Sequence, residues 1–188
     1  KSEFPEIRIG GLVTTHLNQE YIMSFLGKCI TENAPVDFIS WHKYGAVVQD
    51  FVAEPFRARA LLDAFGFRQT ELHLNEWHYL PCSWSAIRST SESRRYWLTA
   101  SEGMQGIDSG VFNTTVLTRW QDTPLDLSNY YATGLLTWGL RDVYGGLNKN
   151  YYSFLAFGKM LSCPERAAVT TGDENITLLA GHDGKGDA

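Results

Sequence analysis

Apolar and polar positions along the chain follow two patterns in alternation, one typical of β-strands and one typical of α-helices. Short β-prone runs lie at residues 7–13, 36–41 and 71–76, and a fourth is expected at 126–132. The segments that follow these runs carry apolar side chains every three or four residues, the spacing of an amphipathic helix. The pattern therefore predicts four strands that alternate with helices.

Five stretches carry the helical period, two of them between the third and the fourth strand. Pro55 suits the first position of the second helix, and Gly66 suits the position just after its end. The stretches are defined by Ile22, Phe25, Leu26 and Cys29; by Ala58, Leu61, Leu62 and Phe65; by Trp97, Ala100, Ser101 and Met104; by Phe112, Val116 and Trp120; and by a closing helix over 151–161.

Strands that are each followed by a helix require parallel pairing with right-handed crossovers. Two α/β architectures satisfy this requirement, a small open sheet and half of a (β/α)8 barrel, and the pattern alone does not choose between them. After Pro164 the pattern changes, because residues 167–171 and 176–180 are short, β-prone and separated by a turn-like stretch. These two segments predict the first strands of an antiparallel accessory domain.

Composition narrows the possible partners. With 188 residues and 44% hydrophobic side chains, the chain can bury one sizeable core. Its formal net charge is -5 and no Lys/Arg cluster occurs, which disfavours a nucleic-acid partner. No apolar run reaches the length that spans a membrane. Aromatic residues make up 13% of the chain, and those in polar surroundings could offer flat faces to a sugar ring.

Several small motifs favour ordinary structural roles. The three cysteines show neither CxxC spacing nor a nearby histidine pair, so neither a metal nor a cofactor is expected. No phosphate-binding glycine loop follows a strand, which disfavours a nucleotide-binding open sheet. Residues 183–187 predict a hairpin turn rather than a calcium loop. Asn113 and Asn175 each begin a glycosylation sequon, a short pattern with many chance matches.

Polar side chains that can carry chemistry lie at the ends of the second and third strands. Strand side chains alternate between faces, so Ser40, His42 and Tyr44 should share one face of their strand. By the same rule Leu72, Leu74, Glu76 and His78 should share one face of theirs. In a barrel, active sites lie at the carboxyl ends of the strands. A carboxylate, an imidazole and a phenol should therefore meet in one aromatic-walled hollow.

This combination suits glycoside hydrolysis. The reaction needs an ionised carboxylate beneath the anomeric carbon and donors that hold the ring hydroxyls. A tyrosine hydroxyl can keep that carboxylate charged and in place, and a tryptophan ring can stack on the apolar face of a pyranose.

The order of the motifs resembles the last four strands of clan A glycoside hydrolases, most closely family 39, which includes β-xylosidases and α-L-iduronidases. The resemblance covers roughly residues 7–165. The matching pieces are Gly10-Gly11-Leu12, residues 37–44 (DFISWHKY), 72–77 (LHLNEW), 121–126 (QDTPLD), Tyr130-Tyr131, Trp138-Gly139-Leu140 and 149–154 (KNYYSF).

The resemblance implies that residues 1–163 form about strands 5–8 of a (β/α)8 barrel and that 164–188 begin an antiparallel β-sandwich accessory domain. It implies a retaining glycosidase whose nucleophile is Glu76. Asn75 stands where family 39 has Thr. In these families the acid/base Glu, on the fourth strand, is itself preceded by Asn, so the Asn75-Glu76 pair also resembles the acid/base motif. An acid/base residue on the fourth strand would be followed by four further strands, but only one is expected after Glu76. The strand count therefore favours the nucleophile role for Glu76. The remaining substrate-binding residues implied are His42, Tyr44, Asn75, Trp77, His78, Trp84 and Tyr131, with Trp77 and Trp84 as sugar platforms.

The acid/base carboxyl of such an enzyme lies on a strand upstream of this chain. The missing N-terminal half of the barrel is therefore an expected partner, the other being an oligosaccharide or glycoside substrate, and the chain alone should be inactive. The resemblance also favours an extracytoplasmic location. A non-catalytic carbohydrate-binding or scaffold protein on a degenerate barrel remains the alternative function.

Overall fold

A computed structural model of the protein describes residues 3–134, 138–142 and 144–185, which form two units. The first unit comprises Lys1–His78 and Asp122–Tyr131, and the second comprises Tyr79–Gln121 and Ala132–Ala188. Within the described part of the chain, no helix is both long and apolar enough to cross a membrane.

The first unit is built on a four-stranded sheet in the order β1-β2-β3-β4, in which β1 pairs with β2, and β3 with β4, in parallel. The predicted α/β class with a parallel sheet is thus confirmed. Its elements are β1 (Gly10–Thr14), α1 (Gln19–Thr31), β2 (Phe38–Gly45), α2 (Val48–Ala64), β3 (Glu71–Tyr79), whose last residue belongs to the second unit, and β4 (Leu127–Tyr130).

The apolar stripe of α1 is buried as predicted, with Ile22, Leu26 and Cys29 in the core. The helix begins after Asn18, whose side-chain oxygen accepts a hydrogen bond from the Tyr21 amide at 3.0 Å. Burial raises the pKa of the Cys29 thiol, as expected for a cysteine that packs as a small apolar side chain.

The prediction that Pro55 begins the second helix is wrong, because α2 starts at Val48 and holds Pro55 in its interior. An interior proline removes one helical hydrogen bond and costs about 3 kcal/mol. The helical stripe extends upstream, however, to the fully buried Phe51, and burial of that ring favours helix before the proline. Gly66, with φ +85°, follows the end of α2 as predicted.

The two glycines of β1 permit close packing on both faces of the strand. A Cβ added at Gly10 would lie 2.0 Å from the ring of Phe38 in β2, and one at Gly11 would lie 2.0 Å from the ring of Phe25 in α1. The register of β1 against β2 shifts between Gly11 and Val13, and Leu12 has φ 62° there. The Gly-Gly motif is therefore explained by packing at a β-bulge.

A second bulge lies in β3, just before the end of the strand. Leu74 pairs with Ser128 and Trp77 with Tyr130, so three steps along β3 correspond to two along β4. A bulge of this kind moves the following side chains to the other face of the sheet.

The second unit consists mainly of helices. Its elements are α3 (Trp84–Ser89), α4 (Ser91–Thr99), α5 (Ile107–Trp120), α6 (Lys149–Lys159), a 3-10 turn (Met160–Ser162), β5 (Glu165–Ala167) and β6 (Ala180–His182). The helix predicted over Trp97–Met104 ends at Thr99, and Met104 is buried outside it. The Asn113 amide is buried and donates to Asn150 at 3.0 Å, so this sequon belongs to the core.

The predicted accessory strands are misplaced. Residues 165–167 and 180–182 pair antiparallel, with Glu165 opposite His182, whereas the strands were expected at 167–171 and 176–180. Their β-prone residues lie instead between the two short strands, because hydrogen-bond pairing and not propensity decides which residues are strand. The turn expected at 183–187 lies partly outside the described residues, and the domain boundary at 163 stays a prediction.

Candidate active site

Three side chains that the sequence placed at two separate strand ends meet in the first unit. The Tyr44 hydroxyl donates to Glu76 Oε1 at 2.6 Å, and His42 Nδ1 lies 3.4 Å from the same oxygen. His42 and Tyr44 lie two residues apart on β2 and so share a face, as predicted. The predicted juxtaposition of carboxylate, imidazole and phenol is therefore present.

The two carboxylate oxygens of Glu76 have different surroundings. Oε1 lies near both Tyr44 and His42, whereas no described residue donates a hydrogen bond to Oε2. Nor does any described Lys or Arg lie within ion-pair distance of this carboxylate. The Glu76 side chain is 29% exposed, so a ligand can reach it. One oxygen is thus held by the protein, and the other remains available for chemistry.

Tyr44 is suited to remain a hydrogen-bond donor. Burial raises the pKa of its phenol, and so do the hydrogen bond to Glu76, the negative charge of Glu76 and the neighbouring phenols Tyr131 and Tyr130. The phenol therefore keeps its proton at any pH near neutrality and donates it to the carboxylate without transferring it.

The bulge in β3 is what brings Glu76 to this face. His73 stacks on Phe38 at 4.5 Å, and Glu76 contacts Tyr44, so both lie on the face of β2 that carries Phe38 and Tyr44. Residues 73 and 76 could not share a face in a regularly alternating strand. The prediction that Leu72 and Leu74 share a face with Glu76 is therefore wrong, because they alternate with His73 ahead of the bulge and are buried on the opposite face.

Asn75 lies inside the bulge, immediately before Glu76. Its side-chain oxygen is buried and has no hydrogen-bond partner in the described part of the chain. A buried acceptor without a donor is uncommon and is frequently found at functional sites. Its expected role in substrate binding stays a prediction.

Trp77 cannot serve as a sugar platform, so that prediction is wrong. Its side chain has no exposed surface, and it packs edge-on against Phe51 of α2 and against Tyr130. It follows Glu76 directly and therefore faces the opposite side, toward the helix layer. Trp77 belongs to the core of the first unit.

His78 is also fully buried. Its Nε2 lies 2.7 Å from the hydroxyl of Tyr130, on which its ring stacks at 4.7 Å. Sequence reasoning did not select Tyr130, although an aromatic pair at a strand end is a usable signal. Next to it, Tyr131 is 45% exposed and donates its amide to the Trp77 carbonyl at 3.0 Å.

Trp84 lies at the start of α3 in the second unit and is 41% exposed. Its ring is tilted against Trp138 at 5.6 Å, and the guanidinium of Arg88 lies over it at 5.5 Å. An exposed tryptophan face supported in this way is suited to stacking, and its role at the site stays a prediction. In the described residues no group of three His, Cys, Asp or Glu side chains could hold a metal ion.

Comparisons with known proteins support the fold. No family model and no curated protein matches the chain. Among solved structures it is similar to a glucosidase from Croceicoccus marinus, with TM-score 0.72 and 24% identity, over 95% of this chain and 37% of that one.

Two further solved structures are also similar to the chain. A family 39 β-xylosidase from Caulobacter crescentus matches with TM-score 0.58 and 16% identity, over 84% of this chain and 34% of that one. A family 128 endo-β-1,3-glucanase from Amycolatopsis mediterranei matches with TM-score 0.55 and 12% identity, over 80% and 58%. The chain therefore shares the fold of part of each of these structures and spans less than two thirds of the length of each.

Proposed function

We propose that this chain is the C-terminal half of the (β/α)8 barrel of a retaining glycoside hydrolase, with Glu76 as its nucleophile. The observation that carries the proposal is the asymmetric carboxylate of Glu76. Tyr44 and His42 hold Oε1, and Oε2 has no donor among the described residues. An accessible ionised carboxylate with one free oxygen is what covalent glycoside hydrolysis requires.

The reaction follows from this geometry in two displacements. Oε2 of Glu76 attacks the anomeric carbon, the bond to the leaving-group oxygen breaks, and a protein acid gives that oxygen a proton. A water molecule, deprotonated by the same residue, then attacks the anomeric carbon and releases the carboxylate. Two inversions at one carbon give net retention of configuration.

Tyr44 and His42 support both steps. A phenol that keeps its proton can stabilise the Glu76 carboxylate before attack and again as it leaves the sugar. His42, whose side chain is 20% exposed, lies close enough to orient the same oxygen or to contact a sugar hydroxyl. Both residues act through position and hydrogen bonding, with no covalent change.

The acid/base carboxyl should come from the other half of the barrel. Retaining enzymes hold their two carboxyl groups about 5–5.5 Å apart. Two other carboxylates near this sheet are engaged elsewhere, since Glu71 of β3 pairs with Arg8 and His73, and the buried Glu54 of α2 binds Lys43 and Trp41. The isolated chain should therefore bind a sugar weakly and turn none over.

That Glu71 and Glu54 are both held in ion pairs also suits the alternative function. A carbohydrate-binding protein on a degenerate barrel would keep the aromatic and hydroxyl groups and lose turnover. The identity of the sugar does not distinguish the enzyme from the carbohydrate-binding protein, because a β-xyloside or related glycoside suits both.

Trapping the covalent intermediate tests the proposal. Full-length protein containing this chain is incubated with 2-deoxy-2-fluoro β-xylosyl and β-glucosyl fluorides, which form the ester quickly and hydrolyse it slowly. Mass spectrometry should find one added sugar on the peptide that contains Glu76, and none in Glu76→Gln. Labelling of another carboxyl would refute the nucleophile. Binding without labelling or turnover would support the carbohydrate-binding alternative.

A further inference from the structure

A buried carboxylate in α2 has no part in the mechanism above. The side chain of Glu54 is 9% exposed, and its two oxygens bind two residues of β2. Oε1 accepts from the Lys43 ammonium at 2.7 Å, and Oε2 accepts from the Trp41 indole at 3.1 Å. The half-exposed Arg57 lies farther away, at 3.8 Å from Oε1. One carboxylate thus ties two alternate residues of β2 to the helix.

The two residues that Glu54 binds are interleaved with the site. Trp41 and Lys43 alternate along β2 with His42 and Tyr44, so the two pairs point to opposite faces of the strand. The described ladder between β1 and β2 ends where Thr14 pairs with Trp41. The contacts of the carboxylate therefore reach the part of β2 that extends past the end of β1 and carries the site residues.

The same turn of α2 also supports the neighbouring strand. Phe51 lies one turn before Glu54 and is fully buried. Its ring meets the ring of Trp77 edge-on at 6.3 Å, and the Lys43 ammonium lies 5.6 Å from its centroid. Trp77 directly follows Glu76 on β3. One turn of α2 therefore packs behind both strand ends that build the site.

A buried ion pair contributes little net stability to a fold. The attraction between the charges roughly offsets the cost of removing them from water, and an apolar pair of similar volume is often as stable. The ion pair nevertheless fixes a position, because the ammonium must lie against the carboxylate oxygen, whereas apolar side chains can pack at several offsets. The pair of Lys43 and Glu54 is therefore better suited to setting where β2 lies on α2 than to holding the unit folded.

We propose that Glu54 is a positioning residue of the reaction. Through its two contacts on β2 it holds the Tyr44 hydroxyl within hydrogen-bond reach of Glu76. This role rests on the proposed function and deepens it, since it assigns the setting of the 2.6 Å contact to a residue that touches no substrate. Such contacts are sensitive to position, because a misplacement of about 1 Å can cost an enzyme on the order of a hundredfold in rate.

A double-mutant cycle with Tyr44 tests this role. Glu54→Gln keeps an acceptor for the Trp41 indole but removes the charge that holds Lys43. In the full-length protein it should lower kcat about tenfold on a 4-nitrophenyl β-glycoside, with KM within about twofold, because the contact acts on the reacting carboxylate. In the Tyr44→Phe background the same substitution should lower kcat by less than about twofold, because the contact that it positions is already gone.

Counting active sites separates a slower enzyme from one that is partly unfolded. The fraction of protein that a 2-fluoro glycosyl fluoride labels is measured by mass spectrometry, and kcat is divided by it. Asp63→Asn is the matched control, since it removes an α2 carboxylate from an ion pair with Arg59 outside this cluster, and it should change neither background. Lys43→Met combined with Glu54→Gln removes both buried charges, so it should melt near the wild-type Tm and still show the loss in kcat.

Equal losses in the wild-type and Tyr44→Phe backgrounds would overturn the positioning role and leave Glu76 as nucleophile. Two other results would do the same: a normal kcat in Glu54→Gln, or full recovery of kcat in the variant that lacks both charges. Either would mark the ion pair as a purely structural contact. If the wild type forms no adduct on Glu76, the proposed function fails first, and the positioning role fails with it.

Discussion

Two clusters of a glutamate and a histidine lie at opposite ends of β3. At the start of the strand, Glu71 Oε2 accepts from Arg8 at 2.7 Å and lies 2.8 Å from His73 Nε2. Near its end, Glu76 Oε1 accepts from Tyr44 at 2.6 Å and lies 3.4 Å from His42 Nδ1. The clusters share two residue types and differ in the third partner.

The third partner decides what each carboxylate can do. Arg8 carries a permanent positive charge, and its hydrogen bond, followed by that of His73, lowers the pKa of the Glu71 carboxyl. Tyr44 is a neutral donor, so Glu76 is oriented without being neutralised by a fixed cation. The first arrangement is typical of structural ion pairs, and the second leaves a carboxylate available for attack on a carbon.

The sharpest test of this contrast exchanges each carboxyl for its amide. Glu76→Gln in the full-length enzyme should lower kcat on the order of 10⁴-fold or more, because a removed catalytic group leaves only the residual rate. Glu71→Gln should leave kcat within about threefold, because the described partners of its carboxylate are Arg8 and His73, at the other end of β3 from Glu76. Initial rates on aryl β-glycosides measure both. Equal losses in the two variants would show that Glu76, too, is structural.

The same contrast between a structural and an accessible group applies to Trp77 and Trp84, the two tryptophans that were predicted as sugar platforms. Trp77→Ala should destabilise the protein by about 3–5 kcal/mol, since it removes a fully buried ring. Trp84→Ala should cost less, about 1–2 kcal/mol, because that residue is 41% exposed. Urea denaturation followed by tryptophan fluorescence and circular dichroism measures both. A small loss of stability for Trp77→Ala would contradict the assignment of Trp77 to the core.

The smallest expected effect is a pH dependence confined to the Glu71 cluster. A carboxyl whose pKa is lowered by folding stabilises the protein above its ordinary value of 4.5, and the contribution is lost as the pH falls through the lowered value. Wild type should therefore exceed Glu71→Gln in Tm at pH 6, by about 4 °C or less because the pair is partly exposed.

Below pH 4.5 the two melting curves should converge as the Glu71 carboxyl takes up its proton. Arg8→Met provides the matched control, since it removes the cation and should show the same convergence. A Tm difference that is constant from pH 6 to pH 3 would mean that Glu71 stabilises the protein by packing alone.

The sequence predicted the element types well where local periodicity and tertiary packing agree. The stripe of Ile22, Leu26 and Cys29 became a buried helix face, and the runs at 36–41 and 71–76 became neighbouring strands. It failed at Pro55, where burial of Phe51 outweighs the local preference of proline. Local preferences amount to a few kcal/mol, and the packing of one aromatic ring can reverse them.

Residue types and their order along the chain determined by themselves that a carboxylate, an imidazole and a phenol would end neighbouring parallel strands. Only the tertiary structure decided which face each side chain takes. The bulge in β3 places Glu76 beside Tyr44, whereas Leu72 and Leu74 ahead of it and Trp77 after it are buried in the core. The physical reason is that alternation along a strand follows from local geometry, whereas a bulge depends on the register with a strand about fifty residues away.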